Sequence, residues 1–101
     1  MTAGLSADTV VRLQQVLARF PQVDQAVLYG SRAMGNFKPG SDIDLTLFGK
    51  SVDSEVLADI ANAIDDLLLP YVVDLSAHSM LDNQALIDHI DRVGVAFYTK
   101  F

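Results

Sequence analysis

The sequence predicts an α/β protein in which one sheet of about four strands packs against flanking helices. Segments with helical apolar spacing alternate along the chain with short segments rich in β-branched and aromatic residues. Half of the 101 residues are hydrophobic and a fifth are charged, which is typical of a globular protein. A chain of this length can bury one modest core, so we expect a single domain over residues 1–101.

The first segments predict a helix, a strand and a short helical turn. Apolar residues at helical spacing predict a helix over residues 6–20, with Ser6 or Asp8 as its N-cap. The stretch 23–29 is rich in β-branched and aromatic residues and predicts a strand. Ser31 then opens a helical turn that reaches as far as Gly35.

A loop over residues 36–41 leads into a segment, 42–48, with strict alternation. One face of this predicted strand is apolar and the other is polar. The apolar set is Ile43, Leu45 and Leu47, and the polar set is Asp42, Asp44 and Thr46.

The strongest predicted helix covers residues 53–69. Its apolar stripe is continuous, Asp53 or Ser54 can cap it, and Pro70 is expected to end it. A strand over residues 72–76 follows.

The chain closes with a predicted helix over residues 83–93 and a short strand over 95–98. Gly94 between them is expected to be a left-handed cap. The predicted order is therefore α-β-(short α)-β-α-β-α-β, with helices available to cover the sheet.

Charge and composition argue against several classes of function. The net charge is −6, and the seven Lys and Arg residues are scattered, so the basic face of a duplex nucleic-acid binder is not expected. No apolar run approaches the ~20 residues that span a bilayer. The sequence has no cysteine, which makes the reducing cytoplasm the expected location.

The pair Asp42 and Asp44 is the first candidate for chemistry. Residues i and i+2 of a strand share a face and lie roughly 6.5–7 Å apart, so both carboxylates can converge on one or two hard cations. Mg²⁺ commonly takes one or two carboxylates and fills its remaining positions with phosphate oxygens and water. The alternative is a strand whose polar face is simply hydrated.

The turn at Gly30 and Ser31 is the second candidate. Glycine lets the backbone turn sharply and approach a ligand closely, and a serine at the start of a helical turn can hold phosphate oxygens. The alternative is an ordinary strand-to-helix turn. A P-loop is excluded because Asn36 and Phe37 stand where Lys and Ser/Thr are required.

Asp74 is the third candidate. Strand parity places it opposite its apolar neighbours Val73 and Leu75. If this strand lies beside the strand that carries Asp42 and Asp44, a third carboxylate can complete a two-metal site or accept a proton. The alternative is a carboxylate at the end of a strand with no role in chemistry.

These residues together resemble a known signature. The spacing is similar to the motif of the DNA polymerase β-like nucleotidyltransferases, and more narrowly of the minimal nucleotidyltransferases. It consists of Gly30-Ser31, a gap of ten residues, and Asp42-Ile43-Asp44. The stretches that are typical of the minimal group are Leu28-Tyr29-Gly30-Ser31-Arg32-Ala33, Pro39-Gly40-Ser41-Asp42-Ile43-Asp44-Leu45, and Leu67-Leu68-Leu69-Pro70-Tyr71 leading into Val73-Asp74-Leu75. The resemblance extends from the first helix to the last strand.

The resemblance implies a mixed sheet with flanking helices, and ATP with Mg²⁺, two ions being expected. It implies that Asp42 and Asp44 bind metal and that Asp74 is a further ligand or the base. It also implies that Gly30 and Ser31 hold the triphosphate.

Three further residues carry weaker expectations. Arg32 is expected either to neutralise phosphate charge or to form a surface salt bridge. Ser41 is expected to bind phosphate or merely to lead into the strand. Lys38 is expected to be a hydrated loop residue, although a phosphate contact is the alternative.

The resemblance also implies a partner. Larger relatives carry a C-terminal substrate domain, whereas this sequence ends at Phe101, so we expect the acceptor to come from another molecule. In the family this is a small helical protein of the HEPT type, and the nucleotidyltransferase is the antitoxin that transfers AMP to a tyrosine of that partner. The alternative is a nucleotide-binding module without catalysis that neutralises its partner by forming a complex.

Overall fold

The computed structural model describes residues 3–100, where helices and strands follow one another in the predicted order. The helices are α1 (Ala7–Ala18), α2 (Ser31–Met34), α3 (Ser54–Asp65) and α4 (Gln84–Val93). The strands are β1 (Gln25–Tyr29), β2 (Ile43–Phe48), β3 (Val73–Ala77) and β4 (Val95–Thr99). A short 3₁₀ helix, His78–Met80, which the sequence did not predict, follows β3.

The four strands form one mixed sheet in the order β3-β2-β1-β4. The central strand β1 is antiparallel to both β2 and β4, whereas β2 and β3 are parallel. A parallel pair needs a crossover connection, which α3 supplies. This arrangement confirms the predicted fold class.

One face of the sheet carries the hydrophobic core, as the alternation in β2 predicted. Ile43, Leu45 and Leu47 are at most 1% exposed. Side chains of α1 and α3 complete this core, among them Leu13, Leu17 and Ile60. Burial of these apolar side chains is the main stabilising contribution to the fold, at roughly 25 cal/mol per Å². The other face of β2 is thereby left to Asp44 and Thr46.

Polar side chains define where the three long helices begin. The Ser6 hydroxyl accepts a hydrogen bond from the Thr9 N–H at 3.2 Å, and the Asp53 carboxylate accepts from the Val56 N–H at 2.9 Å. Asn83 caps α4 in the same way. Such caps satisfy N–H groups that have no partner within the helix. Ser6 and Asp53 were both among the predicted caps.

Helix α3 ends earlier than predicted. Its last residue is Asp65, not the residue before Pro70. The Leu68 N–H bonds to the Asp65 carbonyl three residues back, and Leu68 itself has a left-handed φ of 54°. The chain therefore leaves the helix before the proline, and the prediction that Pro70 ends it was wrong.

Gly94 also differs from its prediction. Its φ of −61° and ψ of 139° are extended, so it is not a left-handed cap. A Cβ at this position would instead collide with the Ile90 carbonyl and with the Val27 side chain. Close packing of α4 against β1 is thus the physical reason for glycine here. Among residues 3–100, no helix has the length and apolar character needed to cross a membrane.

Candidate functional site

The strand register brings the predicted carboxylates together. Asp44 in β2 lies directly opposite Asp74 in β3, and Tyr29 in β1 lies opposite Asp44 on its other side. Paired positions on neighbouring strands project to the same face of a sheet. The neighbour relation between Asp44 and Asp74, which parity left open, is therefore a feature of the fold.

Asp42 lies at the edge of this row. Strand β2 begins at Ile43, one residue later than predicted, and the Ile43 N–H donates to the Val72 carbonyl at 2.9 Å. Asp42 is exposed at the entrance to the strand, two residues before Asp44. Asp42 and Asp74 are thus exposed, and Asp44 between them is half-buried.

The electrostatics of Asp44 reflect this crowding. The pKa of Asp44 is raised, mainly because burial disfavours its charged form, and further by the charges of Asp74 and Asp42. His89 opposes the shift. The pKa of Tyr29 is raised mainly by burial, and Asp74 and Asp44 add to the increase. Negative charge is therefore concentrated around the centre of the row.

The carboxylate oxygens of this row suit a hard cation whose remaining coordination positions are filled by a bound ligand. Within residues 3–100, His, Cys, Asp and Glu side chains do not gather in threes as a ready metal-binding set. The pKa of Asp44 is nevertheless raised by burial, and the charges of Asp74 and Asp42 add to this increase. Mg²⁺ typically takes one or two carboxylates and leaves other positions to phosphate and water. Asp42 and Asp44 fit that requirement better than they fit a closed protein cage.

Ionisation of Asp44 should make the metal-free fold less stable. Its folded pKa lies above its ordinary value of 3.8, so its favourable contribution is complete below that pH and is lost as the pH rises through the raised pKa. We expect the stability of Asp44→Asn relative to the wild type to increase as the pH rises from below 3.8 through the raised pKa. Thermal melts in EDTA measure this difference, with Asp65→Asn, at an exposed position, as control. The expectation would be contradicted if the wild type became more stable relative to Asp44→Asn as the pH approached neutrality.

The turn at Gly30 packs directly against Asp44. Gly30 has φ 75° and ψ −158°, a region that is essentially restricted to glycine. The space that a Cβ would fill at Gly30 is occupied by Oδ2 of Asp44. Ser31 is the first residue of α2, as predicted, and the Gly30 carbonyl accepts from the Ala33 and Met34 N–H groups. The candidate phosphate turn and the carboxylate row are therefore in contact.

Arg32 is not the surface residue that a salt bridge would require. It is only 2% exposed. Its guanidinium donates to three backbone carbonyls, those of Ala3 (2.9 Å), Ser41 (3.0 Å) and Pro39 (3.2 Å). It also lies about 5 Å from the ring centres of Phe37 (5.2 Å) and Tyr71 (5.0 Å). The expected surface salt bridge was wrong, because the buried guanidinium connects α2 to the loop that leads into Asp42. The expected phosphate contact stays a prediction.

Ser41 stabilises the same loop. Its hydroxyl accepts from the Lys38 N–H at 2.9 Å, and its own N–H donates to the Lys38 carbonyl at 3.0 Å. A hydroxyl that accepts one hydrogen bond can still donate another, so this role is compatible with the predicted phosphate contact. The Lys38 side chain is exposed, as expected for a hydrated loop lysine.

The structure adds His89 to the site. Its Nε2 accepts a hydrogen bond from the Gly30 N–H at 3.2 Å, and its ring lies edge-on to Tyr29 at 6.2 Å. No role in the site was predicted for this histidine. One signal was present, since His89 follows Leu86 by three residues and therefore lies on the same side of α4 as the buried Ile90.

A family match covers most of the chain. Residues 12–100 match the family described as "Polymerase beta, Nucleotidyltransferase". The chain belongs to this family. The resemblance seen in the motif is thus confirmed, and so is the prediction of a nucleotidyltransferase at the level of the family. No match was found among curated proteins.

Solved structures similar to this nucleotidyltransferase share its fold. A toxin–antitoxin crystal structure with AMP-PNP is 20% identical, with a TM-score of 0.71 over 95% of this chain and 75% of that one. The MntA–HepT complex is 16% identical, with a TM-score of 0.68 over 94% and 74%. A Shewanella oneidensis complex of a tri-AMPylated HEPN toxin with MNT antitoxin is 15% identical, with a TM-score of 0.62 over 91% and 73%.

A groove of about 520 Å³ lies elsewhere on this nucleotidyltransferase, between α1 and β4. Its lining includes Val11, Gln14 and Phe97, and none of the predicted site residues. The residues that line the groove carry no charged side chain, so the carboxylates and the glycine turn remain the candidate site.

Proposed function

We propose that this protein is a cytoplasmic, Mg²⁺-dependent nucleotidyltransferase that transfers AMP from ATP to a hydroxyl group, specifically a tyrosine, of a HEPT-type partner, and that it acts as the antitoxin of the pair. The observation that carries the proposal is the register of Asp44 opposite Asp74, with the Gly30 turn packed against Asp44. This arrangement supports binding of donor phosphates and divalent metal side by side.

In the proposal the chain supplies the donor half of the reaction. Gly30 and Ser31 hold the triphosphate, since a turn without a Cβ permits close approach and the Ser31 hydroxyl can donate to a phosphate oxygen. Asp42 and Asp44 hold the metal, with Asp74 as a further ligand or as the base. Bound Mg²⁺ would neutralise charge on the phosphate oxygens and favour in-line displacement.

The transfer step then follows from the chemistry of phosphoryl transfer. The acceptor oxygen forms a bond to the α-phosphorus of ATP, and the bond from that phosphorus to the bridging oxygen of the β-phosphate breaks. The hydroxyl proton passes to a carboxylate of the row, for which Asp74 is a candidate, and pyrophosphate leaves. Positioning and electrostatics supply most of the catalysis in such reactions.

The choice of partner rests on the proteins that share the fold. Several of them are toxin–antitoxin complexes, and one holds a tri-AMPylated HEPN toxin. A helical partner that presents a hydroxyl to the carboxylate row would supply the acceptor half of the proposed reaction.

The direct test is to incubate the protein with a HEPT-type protein encoded beside it, ATP and Mg²⁺, and to weigh the partner intact. We expect a mass increase of one AMP for each modified hydroxyl, and no increase in EDTA. An unmodified partner that still forms a stable complex with folded protein would instead support the non-catalytic binding module.

A further inference from the structure

We propose that His89 is a positioning residue that fixes the Gly30 turn in the orientation that receives the donor phosphates. The inference rests on the proposed function and deepens it, because it adds a residue of α4 to a site otherwise built from β1, α2, β2 and β3. Two contacts carry it, the hydrogen bond from the Gly30 N–H and the edge-on contact with Tyr29.

The hydrogen bond ties the Gly30 turn to α4. Nε2 of His89 accepts a hydrogen bond from the Gly30 N–H at 3.2 Å. The Gly30 carbonyl is bound by the Ala33 and Met34 N–H groups, both at 3.1 Å. Both polar groups of Gly30 are thus fixed, and His89 supplies the only side chain among them.

The ring contact extends this support to the carboxylate row. His89 meets Tyr29 at an interplanar angle of 81°, an edge-to-face arrangement that is favourable for aromatic rings. Tyr29 lies opposite Asp44 in the sheet, and the Asp44 carboxylate fills the space beside the Gly30 Cα. A shift of the Gly30 turn would therefore displace Asp44, so His89 supports both the turn and the carboxylate row.

Helix α4 does not depend on this hydrogen bond for its place in the fold. Ile90 is 2% exposed and anchors the helix, the Asn83 side chain caps its first turn, and Gly94 permits close packing at its end. Loss of the His89 acceptor should consequently affect the turn more than the overall stability. This difference separates a positioning role from a merely structural one.

The test compares His89→Phe, which keeps a ring against Tyr29 but has no acceptor, with His89→Gln, whose side-chain carbonyl can accept. We expect His89→Phe to weaken Mg²⁺–AMP-PNP binding by roughly three- to tenfold, the contribution of one hydrogen bond, and His89→Gln to recover most of the loss. Asp88→Ala is the matched control, because it removes the exposed Gln84–Asp88 hydrogen bond from the same helix. Calorimetric titrations and melting temperatures are measured for all four proteins.

Nitrogen-15 NMR of the wild type gives a readout that requires no variant. The positioning role predicts that Nε2 of His89 stays hydrogen-bonded to the Gly30 N–H when Mg²⁺–AMP-PNP binds. A bond that breaks on binding would overturn the inference, as would equal affinities of His89→Phe and the wild type, or losses that simply follow the melting temperatures. A wild type that binds no Mg²⁺–AMP-PNP would overturn the proposed function and this inference with it.

Discussion

Replacing Asp42 and Asp44 together by Asn is expected to reduce AMP transfer by on the order of 10³-fold or more, with the fold retained. The two carboxylates are the proposed metal ligands, and metal ions typically supply several kcal/mol of transition-state stabilisation in such reactions. Asparagine keeps the shape of the side chain and removes its charge. The apo fold should lose little, because the change removes repulsion on the Asp44 face.

Asp65→Asn with Asp66→Asn is the matched control for this double variant. Both residues are exposed at the end of α3, and their replacement changes the net charge of the protein by the same amount. The control should transfer AMP at the wild-type rate, as measured by the intact mass of the partner over time. A site variant that retains more than about a tenth of the wild-type rate would contradict metal ligation by this pair.

The same double variant separates catalysis from complex formation in cells. If AMP transfer is the mechanism of neutralisation, the variant should fail to protect cells from the partner at equal protein abundance. Protection by a variant that has lost transfer would show that binding alone neutralises the partner. The in vitro rate and the cellular outcome therefore answer different questions about one pair of side chains.

The alternation in the sequence was sufficient to predict the carboxylate face. Asp44 and Asp74 each stand between apolar residues in short strands, and period-2 geometry allows only one face for them. Their adjacency depended on strand order, which parity does not determine. A parallel pairing of β2 with β3 was needed to bring them opposite each other.

Other features depended on contacts between distant parts of the chain. Arg32 receives its carbonyl partners from a loop and from Ala3, and nothing in its neighbours along the sequence indicates burial. His89 reaches Gly30 across 59 positions. Gly94 was predicted to have a left-handed backbone, whereas the structural reason for glycine is the close approach of α4 to β1, which leaves no space for a side chain. Local patterns do not specify tertiary approaches of this kind.

Gly30→Ala is expected to remove most of the transfer activity and to lower the free energy of unfolding by about 2–4 kcal/mol. Two costs combine at this position. The backbone lies in a region essentially restricted to glycine, and the new methyl group would occupy the place of the Asp44 carboxylate. Relief of that collision requires movement of Asp44 or of the turn, and either movement separates the proposed metal ligand from the phosphate site.

Gly35→Ala separates the two costs. Gly35 ends α2 with a left-handed φ of 83°, yet a Cβ there would meet no atom within 4 Å. We expect this variant to lose about 1 kcal/mol from backbone strain and to keep its transfer activity. Denaturant unfolding gives both stabilities, and AMP transfer to the partner gives both rates.

The comparison of the two variants tests whether contact between the turn and Asp44 matters for function. If instability alone reduced activity, the rates would follow the fraction of folded protein. The Gly30→Ala variant would then regain its transfer rate under conditions in which it is fully folded. If the contact matters, Gly30→Ala stays inactive while fully folded, because its methyl group keeps the carboxylate displaced. A folded and active Gly30→Ala protein would therefore show that the site tolerates a shift of Asp44 away from the turn.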